Sequence, residues 1–292
     1  MEIWDEIKAS FREGSVITRL IYLNLAVFIL VRVVQVLFFL SARDFTLLQW
    51  FELPSDPALL LRRPWTLVTY MFLHFDFLHI LFNLLVLYWF GRIFLDYFDQ
   101  NQLLGLYLLG GVTGGAVYVA AYNFFPVFSR VVSNSFLLGA SASIIAILMA
   151  GAFRDPNRPV YLFLIGRVSL KYLALFLFIS YIIGISTSNA GGNLAHLGGA
   201  ATGIFFAVQH RRGRDITRWT GPLSLGVANL FKPRRHVKVA FKQPPRDDHE
   251  YNRQRAARQT EINRILDKIS QSGYDSLTRE EKETLFQQGK NN

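Results

Sequence analysis

The stretch FLHILFNLLVLYWFGRIFLDYF, residues 77–98, decides how the whole chain is read. No Asp, Glu, Lys or Arg occurs in it before Arg92. A membrane-spanning helix needs about 20 mostly apolar residues, and this run has that length and character. Its apolarity is broken near its start by His79 and Asn83. Four residues apart, they share one helix face about one turn from each other. Polar groups inside a bilayer are costly and mark functional positions by default.

Outward from that run, five more stretches meet the same test, some of them marginally: about 20–40, 103–122, 136–153, 172–185 and 194–208. The last three are short or rich in small residues, as suits helices sheltered by their neighbours. The first carries Arg32 and Gln35, and an intramembrane arginine should face protein, water or the interface. The first run is too long for a signal-peptide core and no small-x-small site follows it, so it reads as a retained anchor. Composition agrees with a membrane block. The chain has 292 residues, no cysteine, 51% hydrophobic residues and 18% charged ones, against about 25% charged in ordinary domains. Its mean hydropathy is +0.25. A disordered chain, a disulfide scaffold and a cysteine-based metal or redox protein are excluded.

Charge is unevenly spread. Residues 1–210 carry 13 Lys/Arg against 11 Asp/Glu, whereas residues 211–292 carry 18 against 10. Six spans place both termini on one side, and basic residues say which. With cytoplasmic termini the inner segments hold Lys8, Arg12, Arg19, Arg154, Arg158, Arg167, Arg211, Arg212 and Arg214. The outer segments then hold only Arg43, Arg62, Arg63 and Arg130. The second, fourth and sixth spans therefore run from outside to inside, with their first turns near the outer face.

The unusual polar residues sit in those first turns. Besides His79 and Asn83, the fourth span opens with Gly139-Ala140-Ser141-Ala142-Ser143, and the sixth with Asn193-Leu194-Ala195-His196-Leu197-Gly198-Gly199, then Gly203. Gly199 and Gly203 make a small-xxx-small face, and Gly139 with two alanines leaves Ser141 nearly bare, so the two backbones can approach closely. Close approach would bring the Ser141 hydroxyl to a His196 ring nitrogen, and a serine becomes a nucleophile when an adjacent histidine takes its proton. No acidic orienter is evident, which makes the pair a dyad. The open first turn of the fourth span, Asn83 and His79 could supply donors to an oxyanion. Each residue also has a plain reading. A serine in a membrane helix ordinarily bonds its own i−4 carbonyl, which is expected of Ser143. A lone histidine or asparagine is more often interhelical glue, and the cluster Gly110, Gly111, Gly114, Gly115 signals close packing. Convergence of three like-directed helices at one depth favours catalysis.

At these residues the chain resembles the rhomboid intramembrane serine proteases. The family's signatures are His-x-x-x-x-His-x-x-x-Asn, Gly-x-Ser and Ala-His-x-x-Gly-x-x-x-Gly on the second, fourth and sixth core helices. They stand here as His74 through Asn83, Gly139-Ala140-Ser141, and Ala195-His196 with Gly199 and Gly203, in order, within about residues 15–212. The resemblance implies an all-α, six-transmembrane-helix bundle. It implies Ser141 as nucleophile, His196 as general base, and Asn83, His79 and the Ser141 amide as oxyanion hole. It implies no cofactor and no metal. Residues 41–77 would be the family's membrane-edge loop, where Trp50 and Trp65 suit an interface. The chain departs from the family twice. Trp65 is followed by Thr66 where many members have arginine, and no Glu follows Gly91 on the second helix.

The expected organisation is an N-terminal cytosolic segment over 1–18, the protease domain over 19–212, a basic linker over 213–250 and a cytosolic helical hairpin over 251–292. In the last, residues 252–271 place Ile262, Ile265, Leu266 and Ile269 on one face. Gly273 ends that helix, and Thr278 with Glu281 forms a capping box opening a second. The hairpin is similar to an appendix of some bacterial rhomboids, and its face leaves room for a cytosolic partner. Interleaved acids and few aromatics disfavour nucleic acid.

Three functions compete. Hydrolysis of transmembrane protein substrates near the outer face of a bacterial plasma membrane leads. A non-enzymatic rhomboid that escorts membrane proteins is disfavoured, because such relatives lack the serine or the histidine. A metal site of His74, Asp76, His79 and His196 lacks the His-Glu-x-x-His of zinc proteases.

Overall fold

A helix occupies each apolar stretch. The structure is a computed structural model that describes residues 3–162, 165–186, 189–221 and 248–289. The chain divides into two compact units, 1–232 and 233–292. The first begins with α1 (Ile3–Glu13) and α2 (Val16–Leu40), followed by β1 (Leu53–Pro54), α3 (Pro57–Arg62) and α4 (Thr66–Thr69). Then come α5 (Phe77–Leu95), α6 (Gln100–Phe124), β2 (Phe136–Leu137) and α7 (Ser141–Arg154). The hairpin β3–β4 (Pro159–Leu162, Gly166–Ser169) leads into α8 (Leu170–Gly184) and α9 (Ala190–Arg211). Among the described residues, α2, α5 and α6 are long and apolar enough to cross a membrane, and α7 and α8 are shorter apolar helices.

Local chemistry sets where the helices begin. Ser15, Asp76, Asp99 and Asn189 each accept a hydrogen bond from a backbone N–H of the first turn of α2, α5, α6 and α9. Such caps satisfy donors that a helix start leaves open. At α6, Gln102 returns a bond to the Asp99 backbone and completes a capping box.

Side chains then sort by burial. α7 is the central element, buried from Ala142 through Ala152. α2 lies outermost, and Leu30, Phe39 and Leu40 on it are exposed. Exposed apolar surface of this extent belongs against lipid, since soluble monomers rarely show it. With three membrane-length apolar helices among the described residues, this surface is that of an integral, multi-pass membrane protein.

Glycines bring α6, α7 and α9 to backbone contact. A β-carbon on Gly199 would overlap the Ala142 carbonyl, and one on Gly203 the Ala146 carbonyl. On α6, Gly114 lies against the Ala195 carbonyl and Gly110 against Ala146. Thr113 and Thr202 hydroxyls meet at 2.5 Å across the same seam. Lipid offers helices no hydrophobic drive to associate, so close backbone packing and such hydrogen bonds hold them together.

The fourth apolar stretch starts later than its hydropathy suggests. Phe136 and Leu137 are extended and pair antiparallel with Pro54 and Leu53. Gly139 then holds φ +128°, which no helix interior adopts, so α7 opens only at Ser141. Ser143 also differs from expectation. Its buried hydroxyl has no hydrogen-bond partner, because its i−4 carbonyl belongs to Gly139, ahead of the helix and out of helical geometry.

The long loop between α2 and α5 is latched at several points. Ser55 N–H donates to the Ser135 carbonyl at 3.0 Å and Gly139 N–H to the Tyr70 carbonyl at 2.9 Å. The Tyr70 hydroxyl donates to the Gly111 carbonyl at 2.6 Å. Trp65 Nε1 donates to the Trp50 carbonyl at 2.8 Å, and the Arg63 guanidinium lies 4.1 Å from the Trp50 ring centre. Here an arginine two residues before Trp65, rather than one after it, braces the loop.

Past α9 the first unit continues beyond residue 212. Thr217 is buried, and the Thr220 hydroxyl donates to the Asn101 carbonyl at 3.0 Å. Most of the basic linker expected over 213–250, namely residues 222–247, lies outside the described residues.

The second unit holds α10 (Asp248–Ser272) and α11 (Arg279–Gly289). Gly273, at φ +76°, separates them. Thr278 N–H donates to a Glu281 oxygen at 2.8 Å, and Glu281 N–H to the Thr278 hydroxyl at 3.3 Å. Lys268 Nζ reaches the same carboxylate at 2.9 Å. The Lys268 hydrogen bond and the Thr278 N–H bring the Glu281 carboxyl down to about 2 from 4.5. A pKa lowered by folding stabilises the folded state above the unfolded value, and that contribution is lost as pH falls through the folded value. Amide hydrogen exchange across α10 and α11 in the full chain, corrected for intrinsic rates, is therefore expected to speed up between about pH 4.5 and about pH 2. Glu281→Gln should flatten that dependence.

Candidate active site

Ser141 is the first residue of α7, and the extended segment before it delivers it there. β2, the turn at Gly139 and the Gly139–Tyr70 hydrogen bond fix the approach. Ala140 offers no side-chain cap to α7, so the first N–H groups of the helix, that of Ser141 included, receive no capping oxygen from it. They carry the positive end of the helix dipole.

His196 stands in the second turn of α9. Its Nε2 lies 2.7 Å from Ser141 Oγ, a full hydrogen bond. Its Nδ1 is buried with no hydrogen-bond partner, so no carboxylate orients the ring. Tyr181 of α8 packs on it, with ring centres 4.5 Å apart. The backbone contact of Gly199 with Ala142, one residue past Ser141, sets the helix separation that this short bond needs.

His79 approaches from α5. A β-carbon on Gly139 would lie 3.1 Å from His79 Nε2 and 3.7 Å from Ser141 Oγ. Only glycine admits both that contact and the positive φ. Phe75 N–H donates to His79 Nδ1 at 3.3 Å, and Asp76 accepts from His79 N–H at 2.7 Å. Asn83 is buried; its Nδ2 donates to the His79 carbonyl at 2.8 Å, which leaves its second N–H free of that bond. His74, also buried, stacks edge-on to His79 with ring centres 5.2 Å apart. Gly203 lies a turn beyond Gly199 on the α7–α9 seam. The sequence reading missed Tyr181 and Arg32 as neighbours of the site. Arg32 donates to the Phe75 carbonyl and, at 2.7 Å, to Gln35 of its own helix, and nothing in the local sequence signals the contact with Phe75. Among the described residues no group of three or more His, Asp and Glu is placed to hold a metal ion.

A membrane helix bundle with a serine and a histidine in hydrogen-bond contact at one end is the class that fold and site define. The Rhomboid domain model matches residues 61–212, just over half of the chain, and the chain belongs to that family. A second model, of a family of unknown function (DUF6576), matches residues 247–291. The chain is 32% identical over 158 residues to RHOMBOID-like protein 12, mitochondrial, of Arabidopsis thaliana, covering 51% of this chain and 47% of that one. It is 29% identical over 197 residues to Rhomboid protease GlpG of Serratia proteamaculans, covering 66% and 64%. It is 28% identical over 204 residues to the Presenilin-associated rhomboid-like protein, mitochondrial, of Homo sapiens, covering 65% and 47%. The chain thus spans between about half and just under two thirds of the length of these curated relatives.

Proposed function

We propose that this chain is an intramembrane serine endopeptidase that cuts transmembrane protein substrates with a Ser141–His196 dyad. The observation that carries the reading is the 2.7 Å contact between Ser141 Oγ and His196 Nε2. The neutral imidazole keeps its proton on Nδ1, and Nε2 takes the proton of Ser141 as Oγ attacks the substrate carbonyl. The same Nε2 then protonates the leaving amine. An acyl-enzyme on Ser141 remains, and water, deprotonated by His196, releases it. The oxyanion forms beside the Ser141 N–H, the second Asn83 N–H and His79 Nε2, donors fixed before the reaction begins. Tyr181 holds the imidazole in place of an acid.

The six apolar helices α2 and α5–α9 cross the bilayer, with both termini in the cytoplasm and the site near the outer face. The host is a bacterial plasma membrane. A substrate helix must unwind locally, because its carbonyls are otherwise hydrogen-bonded and shielded. Small, polar or helix-breaking residues near the cut lower that cost.

A fluorophosphonate probe tests the reading on the purified full chain. Labelling confined to Ser141, and lost in His196→Ala, is the expected outcome. A chain that takes no label, yet retains membrane proteins, would instead be a binding member of the family.

A further inference from the structure

Arg32 lies well inside α2, an apolar helix long enough to cross a membrane, yet among the described residues no carboxylate pairs with it. Its guanidinium is used in another way. One nitrogen donates to Gln35 Oε1 at 2.7 Å, another donates to the Phe75 carbonyl, and the Phe28 ring centre lies 5.1 Å from Cζ. Gln35 and Phe28 share a helix face with it, one turn either side, so α2 itself fixes the direction of the guanidinium. Phe75 is the residue whose N–H donates to His79 Nδ1. Phe75 is thus held on both sides: its carbonyl by Arg32 and its N–H by the imidazole.

That second bond decides chemistry. A neutral imidazole has one donor and one acceptor nitrogen. With Nδ1 accepting from a backbone N–H, the proton sits on Nε2, the nitrogen over Gly139 and toward Ser141. The other tautomer would turn a lone pair toward the developing oxyanion. Phe75 itself is exposed, on a short segment between buried His74 and the cap at Asp76, so its own side chain does not anchor its peptide groups. We infer that Arg32 is a positioning residue for the oxyanion site, clamping Phe75 so that His79 presents Nε2–H to Ser141. The inference rests on the proposed role of His79 in the protease reading.

The test uses the full chain in proteoliposomes with a transmembrane substrate, comparing wild type, Arg32→Met, His79→Ala and the double variant. Arg32→Met should lower kcat about tenfold with little change in KM. Arg32→Lys, which keeps a charge and a donor, should fall between. In the His79→Ala background, Arg32→Met should change kcat no further, because both substitutions remove the same donor. Equal losses in both backgrounds, or an unchanged kcat in Arg32→Met, would overturn the inference. Nitrogen NMR of ¹⁵N-histidine-labelled chain gives a second readout that needs no turnover. The expected signature is Nε2–H on His79 in wild type and mixed tautomers in Arg32→Met; an Nδ1–H ring in wild type would overturn the clamp even if no variant folds. Should wild-type cleavage prove independent of Ser141, the protease reading fails, and the tautomer measurement still decides the clamp.

Discussion

Ser141→Ala is expected to abolish cleavage of a membrane substrate while the chain still folds and inserts. Among the described residues the hydroxyl makes one hydrogen bond, with His196 Nε2. The residue caps nothing, and the packing of α7 on α9 runs through backbone at Ala142 and Ala146 rather than through Ser141. Its loss therefore removes the nucleophile and little else. In soluble serine proteases, removing the nucleophile lowers kcat by about a millionfold, which in a membrane assay reads as no product. The measurement is substrate cleavage in proteoliposomes, paired with thermal unfolding of the detergent-solubilised chain. Turnover at the wild-type rate in Ser141→Ala would defeat the assignment.

The second large effect lies at a residue with no side chain at all. Gly199→Val should collapse activity by about a hundredfold or more, since an ångström of misplacement can cost that much. Any β-carbon at Gly199 runs into the Ala142 carbonyl, and backbone cannot move aside as a flexible side chain can. α9 must back away from α7, and His196, one turn earlier on α9, goes with it. Gly151→Ala is the paired control. A β-carbon there meets only Ile93 and Leu170 side-chain carbons, at 3.8 and 3.9 Å, ordinary contact distances. That variant should keep its activity and gain up to about 1 kcal/mol from better helix propensity. Similar losses at both glycines would mean that α7 and α9 tolerate no added side-chain atom anywhere, rather than that the seam sets the dyad.

The proposed dyad, whose side chains meet in the structure, is legible in the sequence because its information is local. His79 and Asn83, Gly139 and Ser141, and His196, Gly199 and Gly203 each sit at spacings that a single helix turn or a short motif can express. Their glycine neighbours also say that the helices must touch. What the sequence hid is long-range pairing. Phe136 and Leu137 are apolar enough to pass for helix, yet their backbone bonds go to a strand more than eighty residues earlier. Ser143 was expected to bond its own helix, and the missing turn ahead of it leaves the hydroxyl alone. Arg32 showed only as an anomaly, since its partner carbonyl lies 43 residues away and a backbone acceptor has no residue signature. The β3–β4 hairpin and the role of Tyr181 likewise depend on neighbours that no local pattern announces.

Two of the backbone ties of the loop between α2 and α5 give it an unequal tolerance to change in length. Ser55 is tied to Ser135 and Tyr70 to Gly139, so both moorings fall on the few residues that lead into Ser141. Residues 56–69 form a bridge of set span between them, and an insertion or deletion there would be transmitted as a shear of the serine itself. Residues 41–46, before the first mooring, carry no such burden. They are where the loop can lengthen or shorten without shifting Ser141.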